Sequence, residues 1–264
     1  MNDAVVLREV DARGVATVTL NRPAVNNAYD AALLEALLEG VLAIAADSSV
    51  RVVVVRGNGP HFQAGADLKW LRGGAARDTA ENLAASRLTA EAMRALNQLP
   101  KPTLALVQGA CVGGGTGLAA SCDIVIAESS ASFAISEARW GMAATIIFPQ
   151  LVAAMGIRNV RRYALTCERF DAASAAALGL VHVVCEPGAL DATAAPIIDS
   201  LLGVAPDAIA LSKRSAMQVA GALVNDAAFE RLVAEHAAKR QSAEAAEGLA
   251  SFAEKRHGSW YPAS

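Results

Sequence analysis

Two glycine-rich loops hold the residues of this chain whose types and spacing are suited to chemistry. The loop GNGPHFQAGADL follows one apolar run, and the loop GACVGGGTGL follows the run TLALVQ. Glycine costs roughly 0.5–1 kcal/mol relative to alanine inside a regular element, so such a cluster indicates a tight turn or a close approach of the backbone to a ligand. Two backbone N–H groups converging from these loops would form an oxyanion hole, which stabilises an enolate or a tetrahedral oxygen. Two tight turns that bind no ligand are the alternative.

Other common sites have little support in the sequence. GGGTGL matches neither the G-x-x-x-x-G-K-S/T phosphate loop nor G-x-G-x-x-G followed by a ribose-binding acid, so nucleotide binding is disfavoured. The cysteines and histidines are scattered along the chain: Cys111, Cys122, Cys167, Cys185, His61, His182, His236 and His257. Because these positions lack metal-ligand spacing, we predict no metal site, reduced structural thiols, and histidines on the surface or in loops.

The elements that must position the two loops alternate between strands and helices. Apolar periodicity predicts two short strands around a turn at residues 11–14 and a helix that begins after the N-cap Asp30. Buried strands are predicted in VRVVVVRG, TLALVQG and CDIVIAE, with a helix over residues 79–99. This order is typical of an α/β chain with a largely parallel sheet. Since ligands of such sheets bind beyond the carboxyl ends of the strands, both glycine loops are expected on one rim.

The composition narrows the class of protein. The 264 residues are 54% hydrophobic and 19% charged, which excludes a disordered chain, and the net charge of −3 gives no basic surface for nucleic acid. No apolar run approaches the ~20 residues of a membrane helix, and the N-terminus has no signal-peptide pattern. We predict a cytoplasmic protein without a membrane partner. From about residue 191 the pattern is helical only, which indicates an appendage that packs on the body or on a neighbouring subunit.

Three segments resemble the signature regions of the enoyl-CoA hydratase/isomerase (crotonase) superfamily: FQAGADLKWL, GACVGGGTGLAASCDIVIAESSASFAISEARWGM and RRYALTCERFDAASAAALGLVHVV. The resemblance extends from GVATVTLNRPAVNNAYD to EGLASFAEKR. It implies an α/β spiral of ββα units over residues 1–195 and a C-terminal helical oligomerisation region over residues 196–264. It also implies a homotrimer or homohexamer that binds an acyl-CoA thioester, with no separate cofactor because CoA is part of the substrate.

The resemblance assigns roles to particular residues. Ala66 and Gly114 match the two positions whose amides bind the thioester oxygen, where fixed N–H dipoles meet the negative charge of an enolate. The expected contacts of the CoA moiety are Val25 and Ala28 near the adenine, Ala64, Asp67 and Leu68 along the pantetheine arm, and Lys69 near a phosphate. A solvated lysine is the alternative interpretation of Lys69.

Hydratases of this superfamily commonly use two glutamates, and this chain retains one of them. Glycine, Gly117, occupies the first position, whereas the second holds Glu137 in an apolar segment that predicts burial and a raised pKa. One carboxylate is sufficient for hydration of a conjugated double bond or for allylic isomerisation. Gly117 is counted with the substrate-binding residues, and the water then needs another partner, for which Thr116, Ser121 and a backbone carbonyl are candidates.

The sequence around Glu137 also resembles a bacterial subgroup that has glycine at the first position and hydrates 3-methylglutaconyl-CoA-type thioesters in leucine or terpene degradation. This favours a hydratase over a delta3-delta2 enoyl-CoA isomerase or a non-catalytic acyl-CoA-binding protein. A distal carboxylate on the substrate requires a cation. The nearest candidates are Arg72, Arg87 and Arg139, each with a surface role as the alternative, while Trp70 and Trp140 fit either an acyl pocket or the core.

Overall fold

A computed structural model describes residues 4–73 and 77–262 of the chain. The strands are β1 Val6–Val10, β2 Val15–Leu20, β3 Val52–Gly57, β4 Thr103–Val107, β5 Ala110–Val112, β6 Ile124–Glu128, β7 Ser132–Ala134, β8 Phe170–Asp171 and β9 Val183–Cys185. The helices are α1 Ala31–Ala46, α2 Leu68–Gly73, α3 Thr79–Asn97, α4 Gly114–Ala120, α5 Phe148–Met155, α6 Ile157–Thr166, α7 Ala172–Ala177, α8 Leu190–Leu202, α9 Pro206–Val219, α10 Asp226–Arg240 and α11 Ala243–Ala253.

The main sheet has the order β1-β2-β3-β4-β6-β9, and only the β1/β2 pair in it is antiparallel. Its central strands are apolar on both faces because helices cover both of them. Val53 and Val55 of β3 pack in the large core with α1 and α3, whereas Val52 and Val54 pack in a second cluster with α8. The predicted helix start is confirmed, since the Asp30 side chain accepts a hydrogen bond from the Leu33 amide at 3.0 Å.

A second, small sheet with the order β5-β7-β8 turns the chain into a spiral. After β4 and again after β6, the next strand leaves the main sheet and joins the small one. Gly109 makes the first of these corners with a φ of +59°, and Gln108 Nε2 donates to the Gly57 carbonyl at 2.7 Å. The α/β spiral predicted from the sequence is therefore confirmed.

The C-terminal helices pack against different surfaces of the α/β body. α8 covers the main sheet, so the expected division between residues 195 and 196 falls inside this helix. α10 packs against α3, and α11 packs against the 3₁₀ turn Glu137–Trp140. In the described chain, no single helix is long and apolar enough to cross a membrane, and only α8 and α9 taken together meet that test by length and composition, with a 105° bend between them. The oligomerisation role of this region remains a prediction.

Candidate active site

A cavity of about 590 Å³ lies where the two glycine loops meet the C-terminal helices. Its volume is that of a typical small-molecule site. The residues of its wall that matter for the chemistry are Tyr29, Ala64, Ala66, Leu68, Trp70, Gly113, Gly114, Glu137, Arg139, Trp140, Ile147, His236 and Arg240. The expectation that both glycine loops share one rim is therefore confirmed.

The amide of Ala66 is free to bind a ligand. Tyr29 N donates to the Gly65 carbonyl at 2.9 Å, and Asp67 N donates to the Tyr29 carbonyl at 2.8 Å. Since successive residues of an extended segment direct their N–H groups to opposite sides, the Ala66 N–H points away from Tyr29. β5 lies on the other side of this segment, where Val112 N donates to the Gln63 carbonyl at 3.0 Å. The Ala66 amide donates to no residue within the described ranges.

The amide of Gly114 is free for a different reason. β5 ends at Val112, and Gly113 then turns the chain with a φ of +58° while its own N–H donates to the Ala134 carbonyl at 2.8 Å. Gly114 is the first residue of α4, and the first N–H groups of a helix have no acceptor inside it. Its amide has no acceptor in the part of the chain that the structure describes. Two free amides thus lie on the wall of one cavity.

Glu137 presents its carboxyl group to the same cavity. It begins the 3₁₀ turn Glu137–Trp140, and a Cβ on Gly113 would lie only 2.9 Å from Glu137 Oε1. Oε2 is buried and has no hydrogen-bond partner among the described residues. Burial raises the pKa of Glu137 from 4.5 to about 7, against the smaller opposing effect of backbone hydrogen bonds from Glu137 and Ser136. The carboxyl group can therefore both accept and release a proton near neutral pH.

Gly117 is not among the residues of the cavity wall, and its contact with the substrate remains a prediction. A Cβ at this position would lie 2.4 Å from Cγ2 of Ile147, which does line the cavity. The proposed alternatives for holding water are also engaged elsewhere. Thr116 Oγ1 lies 2.8 and 2.9 Å from the carbonyl oxygens of Cys111 and Ala134, which share its one proton, and Ser121 Oγ donates to the Gly117 carbonyl at 2.8 Å. Ile147, an apolar residue, fills the space beside Gly117.

The residues expected to contact CoA divide into two groups. Ala64 and Leu68 line the cavity. The carboxylate of Asp67 instead forms an ion pair with Arg22 at 3.0 Å and accepts a hydrogen bond from the Lys69 amide at 2.8 Å, so it caps the start of α2. The remaining residues expected to contact CoA also lie outside the cavity wall. Ala28 is buried, and the side chains of Val25 and Lys69 are exposed. Their CoA contacts remain a prediction.

Sequence reasoning missed several polar residues of the wall, namely Tyr29, Ser136, Arg169, His236 and Arg240. His236 is not a surface or loop histidine as predicted, because α10 buries it with Nδ1 3.0 Å from Ser86 Oγ. Burial lowers its pKa to about 3, so the ring is neutral. The signal that would have found it is the helical spacing of the buried residues Phe229 and Val233, which places residues 236 and 240 on the inner face of α10.

The arginines proposed as partners of a distal carboxylate lie in three different settings. Arg139 lines the cavity with an exposed side chain, whereas Arg87 forms an ion pair with Glu230. Arg72 is exposed near the end of α2 and is not among the wall residues. Both tryptophans, Trp70 and Trp140, line the cavity.

Comparison with known proteins assigns the chain to one family. The enoyl-CoA hydratase/isomerase family profile matches residues 11–262. A short-chain-enoyl-CoA hydratase of Clostridium acetobutylicum is 34% identical over 76% of this chain and 77% of its own length, and a 2,3-dehydroadipyl-CoA hydratase of Escherichia coli is 35% identical over 70% and 69%. The crystal structure of an enoyl-CoA hydratase from Mycobacterium avium is 35% identical, with a TM-score of 0.86 over 98% of this chain and 99% of that one. The fold, the two-loop cavity and these similarities together show that the chain belongs to the enoyl-CoA hydratase/isomerase (crotonase) family.

Proposed function

We propose that this protein hydrates a 2-enoyl-CoA thioester, with Glu137 as its acid–base group. The observation that carries the proposal is the buried Oε2 of Glu137, which has no hydrogen-bond partner among residues 4–73 and 77–262 and lies in a cavity whose wall also contains the Ala66 and Gly114 amides. Those amides, from Ala66 and Gly114, bind the thioester oxygen and stabilise the negative charge that develops on it. Such preorganised donors act most strongly where water is excluded.

The reaction balances with a single carboxylate. Glu137 takes a proton from water while the water oxygen bonds to the β carbon, and the π electrons of the double bond move toward the thioester oxygen. The enolate is held by the amides of Ala66 and Gly114. Glu137 then delivers the proton to the α carbon, so the carboxylate is regenerated and one water has been added across the double bond.

The attacking water needs a second partner, and we place it beside the hydroxyl of Tyr29. A Cβ on Gly114 would lie 2.9 Å from this hydroxyl, so the phenol is next to one of the two amides. Burial raises the pKa of Tyr29, and the negative charge of Glu137 raises it further, so the hydroxyl stays protonated. A neutral hydroxyl both donates and accepts hydrogen bonds, which suits a water that must be held while it loses a proton.

Within this class we favour a branched 3-methylglutaconyl-CoA-type substrate. The sequence around Glu137, with glycine at position 117, supports this choice through its resemblance to the bacterial subgroup. The arginines on the cavity wall, Arg139, Arg169 and Arg240, suit a substrate with a second negative charge. A role in leucine or terpene degradation, a cytoplasmic location and a homotrimeric or homohexameric assembly through the C-terminal helices belong to the same proposal.

A second candidate is a delta3-delta2 enoyl-CoA isomerase. Glu137 is the only acidic residue that lines the cavity within the described ranges, and one carboxylate is enough to move a proton between two carbons. In that reaction Glu137 would remove a proton from the α carbon and return it to the γ carbon. The apolar contact of Ile147 at the first glutamate position favours this alternative, since isomerisation requires no water.

The wild-type protein distinguishes these functions in one experiment. It is incubated with 3-methylglutaconyl-CoA, with unbranched 2-enoyl-CoA esters and with a 3-enoyl-CoA ester. Hydration is measured by mass spectrometry, and conjugation, which leaves the mass unchanged, is measured by the ultraviolet absorbance of the conjugated thioester. Addition of the mass of one water to a 2-enoyl ester is the expected result. Conjugation of the 3-enoyl ester without any hydration would establish the isomerase instead. Binding of all esters without a product would indicate a non-catalytic acyl-CoA-binding protein.

A further inference from the structure

One end of the cavity contains an arginine stacked on a tryptophan. Arg240, the last residue of α10, places its guanidinium carbon 4.5 Å from the centre of the Trp70 ring, and both residues line the cavity. Arg77, which precedes α3, lies 5.1 Å from the same ring. The Trp70 ring thus holds two guanidinium groups by cation–π contact.

These two guanidinium groups lack counter-ions within the described residues. Nη2 of Arg240 and Nη1 of Arg77 are both buried and have no hydrogen-bond partner there. Burial lowers the pKa of Arg240, and the like charge of Arg77 lowers it further. By contrast, Arg87 and Arg94, which also connect α3 with α10, form ion pairs with Glu230 and Asp226. A buried charge without a partner is costly, so the cluster is suited to an anion from outside the chain.

The position of Arg240 and Arg77 relative to the catalytic end of the cavity indicates which part of a ligand would carry the anion. The Tyr29 ring packs against Gly114 at one end of the cavity and makes an edge contact with Trp70, with 5.8 Å between ring centres. One aromatic side chain therefore separates the amide that would hold the thioester oxygen from the tryptophan that carries Arg240. An acyl group of a few carbons spans such a separation.

We propose that Arg240 on the cavity wall binds a second carboxylate at the far end of the acyl group, with Arg77 adding positive charge from outside the wall, so that preferred substrates are CoA thioesters of short unsaturated dicarboxylic acids. This inference rests on the proposed function and adds a specificity-determining residue to it. A guanidinium group binds a carboxylate through two parallel hydrogen bonds, and the Trp70 ring fixes its plane. None of the three arginines expected from the sequence has this setting, because Arg72 and Arg87 lie off the cavity and Arg139 is exposed.

The test begins with the wild-type protein and two esters of equal chain length. Glutaconyl-CoA ends in a carboxylate and 2-pentenoyl-CoA ends in a methyl group. We expect kcat/KM for glutaconyl-CoA to exceed that for 2-pentenoyl-CoA by about 10- to 100-fold, the range of a charge-assisted pair. Hydration of both esters with equal efficiency would overturn the carboxylate subsite and leave the proposed hydratase intact.

Variants then assign the preference to a residue. Arg240→Gln should reduce the ratio of the two kcat/KM values to near one, and Arg240→Lys should retain part of it because the charge remains. Arg87→Gln is the matched control, since this arginine also joins α3 to α10 but pairs with Glu230. Thermal melts verify that each variant is folded. An unchanged ratio in folded Arg240→Gln would overturn the assignment.

A binding measurement separates this inference from the proposed catalytic activity. Glutaryl-CoA and pentanoyl-CoA are saturated and cannot be hydrated, so their affinities report the subsite alone. Calorimetry should show tighter binding of glutaryl-CoA to the wild type and equal binding of both esters to Arg240→Gln. Absence of hydration together with this binding preference would refute the hydratase and support the subsite. Equal affinities in the wild type would refute the subsite.

Discussion

The two ends of the cavity are built in different ways. At the Glu137 end, the wall contains the backbone amides of Ala66 and Gly114, and glycines allow the carboxyl group and the tyrosine ring to pack against the chain. At the Arg240 end, the wall consists of long side chains from α2 and α10. This difference indicates that the acid–base chemistry depends on rigid loops of the α/β body. The choice of substrate depends on side chains that a helix places on the cavity wall.

The largest effect is expected at the Glu137 end. Glu137→Gln removes the acid–base group while preserving the shape of the cavity, so kcat for hydration should fall by about two to four orders of magnitude. Affinity for a saturated CoA ester should change little. Stopped-flow or steady-state hydration assays and calorimetry measure the two quantities. Glu235→Gln, on the exposed face of α10, is the control, and near-wild-type turnover of Glu137→Gln would remove this residue from the mechanism.

The pH dependence tests the same end without changing the wild-type chain. Glu137 must be ionised to accept a proton from water, and its pKa is about 7. We therefore expect kcat/KM to rise about tenfold per pH unit below pH 7 and to level off above it. Around Glu137, burial raises the pKa values of Tyr29 and Cys167 and lowers that of His236 to about 3, so these groups do not change protonation near pH 7.

A flat pH profile of kcat/KM in the wild-type protein would contradict the assignment of Glu137 as the acid–base group.

The pH dependence of folding stability supplies an independent check of the raised pKa of Glu137. Because the pKa of Glu137 is 4.5 in its usual state and about 7 in the folded chain, the folded protein binds more protons than the unfolded one between these values. The contribution of Glu137 to stability is therefore greatest below pH 4.5 and is lost as the pH rises through 7. Urea unfolding of the wild type and Glu137→Gln across this window should show the difference.

Tyr29 lies where the two ends meet, and its removal should have an intermediate effect. Tyr29→Phe keeps the ring that packs on Gly114 and Trp70 but deletes the hydroxyl that we place beside the water. Hydration should slow by about tenfold, the cost of about 1.4 kcal/mol from one lost hydrogen bond. Isomerisation of a 3-enoyl ester uses no water, so its rate in Tyr29→Phe should equal that of the wild type. Equal losses in both reactions would assign Tyr29 to shape alone.

The smallest effect on catalysis is expected at Gly117. Gly117→Ala introduces a methyl group at a point 2.4 Å from Ile147 Cγ2, so overpacking should destabilise the fold by about 1–3 kcal/mol while the rate changes only a few-fold. Denaturant unfolding measures this loss. Because Ile147→Ala removes Cγ2, this substitution and Gly117→Ala together should cost less stability than the sum of their separate costs. A large loss of activity without a change in stability would show that Gly117 contacts the substrate after all.

Local sequence signals predicted the body of the protein well. The Asp30 N-cap and the apolar strand β3 depend on residues that are close in the chain, and both are present. The small sheet was not predicted because β5, β7 and β8 have only two or three residues each, which is too short for a periodic pattern. Without the small sheet, the prediction could not show that Glu137 lies next to Gly113 in the fold.

The sequence by itself determined the alternation of the main-sheet strands with helices, the two glycine loops and the glutamate at position 137, because each depends on local residue types and spacing. The tertiary structure alone decided that Ile147 fills the space beside Gly117 and that Arg240 stacks on Trp70 in the same cavity. These contacts join residues that are far apart in the chain. They follow from how the small sheet and α10 pack on the body, which no local pattern specifies.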